Sequence, residues 1–157
     1  MTRLGFLLAA ILGLATLTAP APVAAQDAAG VTGAAEATLP DGATFNGIPL
    51  RGLTLGQGLF IGPDGSATGQ FQAVLLGTSL LGAAQNITVE GEVRGGSVAA
   101  DGSTTFSGTA TVDMGDGTLA LAGVPFTVTA SAGSLGLILN AVALPTATVT
   151  AGSITVK

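Results

Sequence analysis

The run Ser103-Thr104-Thr105-Phe106-Ser107-Gly108-Thr109-Ala110-Thr111-Val112 alternates in character along its length. Phe106, Ala110 and Val112 fall on one side of an extended chain, and Ser103, Thr105, Ser107, Thr109 and Thr111 fall on the other. Successive side chains of a strand point to opposite faces, so the pattern describes a strand with one face in a core and the other in water.

The neighbouring segments repeat it. Between Asn86 and Arg94, Ile87, Val89 and Val93 alternate with Thr88, Glu90, Glu92 and Arg94. Between Val124 and Ala130, Val124, Phe126 and Val128 point inward while Thr127 and Thr129 point outward. Leu119 and Leu121 are out of phase with Val124, so Ala122-Gly123 must absorb a bulge, and the same flip between Val149 and Ile154 is assigned to Gly152. Further strands are expected at 50–55, 59–62, 70–76, 134–140 and 146–150. The Asp-Gly pairs at 41, 64, 101 and 116, with Gly95-Gly96 and Gly133, supply turns at hairpin spacing. Asp64-Gly65-Ser66 echoes Asp101-Gly102-Ser103, and Gly47-Ile48-Pro49-Leu50 echoes Gly123-Val124-Pro125-Phe126. The apolar run Ala73 to Ala84 reads as a buried core segment with one helical turn near Leu80. No stretch beyond the N-terminal leader has a helical period. The expected fold is therefore all-β, an antiparallel two-sheet β-sandwich of about eight strands, with a closed β-barrel as the alternative.

The N-terminus carries an address. Arg3, the apolar run Leu4 to Leu17 and the small residues Val23 and Ala25 have the layout of a signal peptide, with cleavage expected after Ala25. The chain divides into a signal peptide over 1–25, a flexible small-residue arm over 26–40 and a single β domain over 41–157. With its Ala- and Gly-rich composition, this leader marks an exported bacterial protein, secreted to the periplasm, cell surface or medium. No transmembrane segment is expected in the mature chain, because the leader's apolar run is short and broken by Gly5 and Gly13. Export permits disulfides, yet the chain has no Cys, so stability must come from an ordinary core.

Composition narrows the chemistry. Of 157 residues, 48% are hydrophobic and 8% charged, and His, Cys, Trp and Tyr are all absent. Without His or Cys there is no imidazole base, no thiolate and no nitrogen- or sulfur-ligated zinc site, and a serine nucleophile has no His partner. A net charge of -5 repels a phosphate backbone, so nucleic acid is not an expected partner. Catalytic, cofactor and metal residues are expected to be none, and the chain is not expected to be an enzyme.

Three constellations remain. Glu90 and Glu92 share one strand face about 7 Å apart, with Arg94 beside them, and read as a solvated face rather than an acid–base pair. Asp113 and Asp116 flank Met114-Gly115 in a Gly-rich loop that offers oxygens to calcium, but hairpin-turn chemistry explains the same residues. The repeated Thr109 and Thr111, Thr127 and Thr129, and Thr146, Thr148 and Thr150 resemble the ice-binding faces of antifreeze proteins in carrying rows of hydroxyls and methyls.

The leading functional expectation is an exported, non-catalytic structural or interaction module at the bacterial surface or in the extracellular matrix. It would associate with itself or with a surface partner through edge strands. Ser103 to Val112 and Thr146 to Val156 carry no charge and would be unguarded if either lay at an edge. The alternative is a lipocalin-like carrier of a small apolar ligand, lined by Leu75, Leu76, Leu80, Leu81, Leu137 and Ile138. An ice-binding Thr-rich face is the minor alternative.

Overall fold

The computed structural model describes residues 27–157, so the signal peptide and its cleavage site lie outside the described residues. The described residues form ten strands: β1 (Ala29–Thr38), β2 (Thr44–Phe45), β3 (Ile48–Ile61), β4 (Ser66–Gly77), β5 (Ile87–Val98), β6 (Thr104–Asp113), β7 (Leu121–Ala130), β8 (Ser134–Leu139), β9 (Val142–Ala143) and β10 (Ala147–Val156). The chain is all-β and every pairing is antiparallel. β2 and β9 are two-residue strands, which leaves eight principal ones.

From β3 to β8 the strands follow one another as a meander, and the order then runs through β10 to β1. β1 pairs with β10 and also with β3, from Ala29 opposite Ile61 to Thr38 opposite Gly52. The circuit of pairings therefore returns to its start around one core, giving a sandwich-like body closed by β1. Next to that seam the joint is short, because β8 and β10 share only Ala147–Leu135 and Thr148–Ser134.

This overturns the reading of 26–40 as a flexible arm. Residues 29–38 form a strand with ladder partners on both sides. Val31, Ala35 and Ala37 are buried, while Thr32, Glu36 and Thr38 face out. The segment escaped notice because alanine carries little hydrophobic contrast. Its Gly33 has a steric reason, since a Cβ there would stand 2.7 Å from the Ile154 Cα of β10.

The phase assignments hold for the central strands. Phe106, Ala110 and Val112 of β6, Ile87, Val89 and Val93 of β5, and Val124, Phe126 and Val128 of β7 are all buried. At the centre Phe71 stacks on Phe126 with ring centroids 4.9 Å apart, and Phe106 meets both edge-on at 5.9 and 6.3 Å. Gly91 makes room for them, because a Cβ on it would come within 2.6 Å of Phe126 Cε1. The bulge expected at Ala122-Gly123 is present: Ala110 faces Val124 and Val112 faces Leu121, and Gly123 has φ +74°. On β10 the extra residue is Thr150, two positions before the expected Gly152, and its Oγ1 donates to Glu36 O at 3.2 Å.

Two expectations fail. The segments at 50–55 and 59–62 are one continuous strand, β3, because Gly56-Gln57-Gly58 stays extended and paired with both β1 and β4. Ala73 to Ala84 is not a buried run and has no helical turn. Its first half completes β4, with Ala73 and Leu75 inward, and its second half leaves the sheet as a loop in which Leu80 and Leu81 are 95% and 97% exposed.

Candidate binding surfaces

Of the six residues expected to line an apolar interior, only Leu75 and Leu137 are buried, and they pack in the filled core. Leu76 is half-buried and Ile138 is 41% exposed on the outer side, so the six do not line a common space. Leu80 and Leu81 sit in the β4–β5 loop, at the same end of the body as the β6–β7 loop, where Leu119 is 98% exposed. Gln85 Nε2 ties the two loops by donating to Met114 O at 3.1 Å.

The acidic turn at Asp113 and Asp116 is occupied with its own backbone. Asp113 Oδ1 accepts from Gly115 N at 2.8 Å, and Asp116 Oδ1 accepts from Thr118 N at 2.9 Å and Thr118 Oγ1 at 2.6 Å. Asp64 with Ser66 and Asp101 with Ser103 repeat that two-bond arrangement, so the echo between their sequences is an echo of one turn chemistry. In all three the hydroxyl bond first, and the backbone N–H second, hold the aspartate below its ordinary pKa. Among the described residues no three acidic side chains converge as a metal site would require.

The threonines do not stack. Thr109 lies opposite Pro125 and Thr127 opposite Ser107, while Thr105 and Thr129 form the one cross-strand threonine pair between β6 and β7, with their hydroxyls 3.3 Å apart. β8 separates these strands from β10, and it places Gly136 beside Thr129 and Ile138 beside Thr127. The rows are interrupted.

Glu90 and Glu92 have neighbours that only the register reveals. Gly58, Gln70, Glu92 and Thr109 are consecutive partners across β3, β4, β5 and β6. One step along, Gly56, Gln72, Glu90 and Thr111 form a parallel rung. Both rungs lie on the outer face, and between them runs a groove of about 650 Å³ that reaches Gly123 on β7. The residues between the rungs on β4 and β6, Phe71 and Ala110, are buried, so the groove floor is backbone. Gln72 Nε2 donates to Glu90 Oε1 at 3.3 Å, and Arg94 Nη2 stands 3.9 Å from Glu92 Oε2. Beneath the floor the inward Gln57 is 8% exposed, and neither polar atom of its amide has a hydrogen-bond partner.

The two candidate edges part company. β6 is flanked along its length by β5 and β7 and is not an edge. β10 is half of one. Thr148 still pairs with β1 and β8, and Val149 N donates to Gly133 O at 3.0 Å. From Ala151 to Val156 the strand pairs with β1 alone, and among the described residues no strand lies along its other side. Gly30 and Lys157 exchange both backbone bonds, at 2.8 and 2.9 Å. Bonded and non-bonded pairs alternate in an antiparallel ladder, so Gly152, Ile154 and Val156 turn their N–H and C=O groups away from β1, toward the open side.

Among the described residues no helix is long and apolar enough to cross a membrane. Comparison with protein-family models, curated proteins and solved structures yields no match.

Proposed function

We propose that this chain is an exported, non-catalytic interaction module at the bacterial surface or in the surrounding matrix, and that it takes on a partner as an added strand along β10. The observation carrying this reading is the one-sided pairing of Ala151 to Val156. An edge of unpaired backbone groups templates another strand, and proteins that avoid such pairing guard the edge with Lys, Pro or inward charges. Thr150-Ala151-Gly152-Ser153-Ile154-Thr155-Val156 contains none of these. The acidic net charge opposes self-association, but salt screens it beyond about 8 Å at physiological ionic strength, whereas strand pairing acts at contact. The leader-like Leu4 to Leu17 supports export, and the absence of His and Cys supports a binding role over catalysis.

Light scattering over a concentration series, with retention on cell-surface material, tests the proposal. Thr155→Lys places a charge on the exposed side of the edge. Ile154→Pro removes a donor aimed at the open side while sparing the bonds to β1. Both are expected to abolish association that the wild type shows. A wild type that stays monomeric and retains no surface material overturns the proposal.

A further inference from the structure

The groove across β3 to β7 has features that packing does not account for. Gly56 and Gly58 lie within a long strand, where glycine is less favourable than alanine because more backbone freedom is lost on folding. A Cβ at either position would meet nothing within 4 Å, and neither has the positive φ that favours glycine. By contrast Gly91 and Gly108 are forced, since a Cβ on Gly91 would strike the Phe126 ring and one on Gly108 would strike Glu92 O. Bare backbone without a steric reason marks a place where something else approaches closely. Next along the same face of β3 stands Phe60, 53% exposed and the only large exposed aromatic among the described residues.

The polar side chains select what approaches. Glu92 has Arg94 beside it, and Glu90 accepts from the neutral Gln72 and keeps its charge, which makes it a strong acceptor for hydroxyl groups. What remains are amide and hydroxyl groups on Gln70, Gln72, Thr109 and Thr111, able both to donate and to accept. Neutral hydroxyl-rich ligands match that set, and an exposed phenyl ring offers the apolar face on which a sugar ring lies. Glycine at each end, at 56 and 58 and at 123, leaves the groove open across five strands, about 19 Å at the usual strand spacing. That shape suits a chain rather than a single ring. We infer that the outer groove of β3 to β7 binds a neutral oligosaccharide chain, with Phe60 as the stacking platform and the Gln and Thr side chains as the hydroxyl readers. This site is separate from the β10 edge, so either proposal can fail without the other.

An array of neutral linear oligosaccharides, followed by calorimetry with the glycan retained best, tests the inference on the whole exported chain. Gly58→Val fills open space on a strand of ordinary φ, so it folds, and its melting temperature is expected to match or exceed that of the wild type. It and Phe60→Ala are each expected to weaken binding about ten-fold or more, equivalent to 1.4 kcal/mol, whereas Thr155→Lys leaves glycan binding unchanged. Spermine serves as the cationic probe and is expected not to compete. Retention of no neutral glycan, retention that both groove variants preserve, or displacement of the glycan by spermine each overturns the inference.

Discussion

Asp64, Asp101 and Asp116 show how a single residue closes a turn in a chain with few charges. Each is followed two positions later by a hydroxyl residue whose Oγ donates to it at 2.6 Å. The same turn serves the β3–β4 hairpin, the β5–β6 hairpin and the β6–β7 loop. Because the bonds favour the ionised form, the folded pKa lies below the unfolded one, so the contribution to stability is complete above the ordinary aspartate range. It is lost as pH falls through the lower folded value. All three groups are fully exposed, so the energetic effect is small and the titration itself is the better readout. In Ser103→Ala the hydroxyl bond is gone while the backbone N–H remains. The carboxyl titration of Asp101, followed by NMR, is expected to move up toward the ordinary aspartate value, with Asp64 unmoved. An unchanged Asp101 midpoint would contradict the assigned cause. Asn140 and Ala141 show the opposite situation: the two-residue turn between β8 and β9 holds both at positive φ, and Ala141 at +65° lacks the side chain that eases that conformation in Asn.

At the scale of the strand, phase is what the sequence expresses most clearly. Phe106 is wholly buried against Phe71 and Phe126, while Thr105 beside it reaches the surface to meet Thr129. Phe106→Ala is expected to lower stability by about 3–5 kcal/mol, and Thr105→Ala by less than about 1 kcal/mol, in denaturant melts. Similar losses for both would contradict the alternation. β5, β6 and β7 were legible because Val, Ile and Phe contrast sharply with Thr and Glu. β1 was not, because Ala35 and Ala37 bury little area and their neighbour Ala34 has the same character. Asn46-Gly47, at φ 48° and 81°, turns β2 into β3 and is a hairpin signal as strong as the Asp-Gly pairs. Leu80 and Leu81 misled for the converse reason: hydropathy registers an apolar run but not that the chain has left the sheet. The groove was invisible in one dimension, since Gly58, Gln70, Glu92 and Thr109 meet only through three successive registers.

For the molecule as a whole, β1 is the strand on which closure depends. It bonds to β3 and to β10, the two strands most distant in the meander, and contributes Val31, Ala35 and Ala37 to the shared core. Without it, β3 and β10 would both become edges, and β10 would be held to the sheet by its two-pair contact with β8 alone. β3 would then present Gly52 to Ile61 as an edge with no charged residue, while β2 still covers Ile48 and Pro49. Long uncharged edges of that kind recruit other chains. Burial and loop closure are coupled here, so the loss is expected to exceed what three small side chains would suggest and to approach the whole stability of a domain, on the order of 5–15 kcal/mol. A chain beginning at Asp41 therefore tests the closure directly against one beginning at Asp27. The longer chain is expected to unfold in a single cooperative transition, and the shorter to bind hydrophobic dye, aggregate on concentration and lack such a transition. If the shorter chain melted cooperatively at a similar temperature, residues 29–38 would be an accessory to the fold, and the β10 edge would have to be redrawn with both of its sides open.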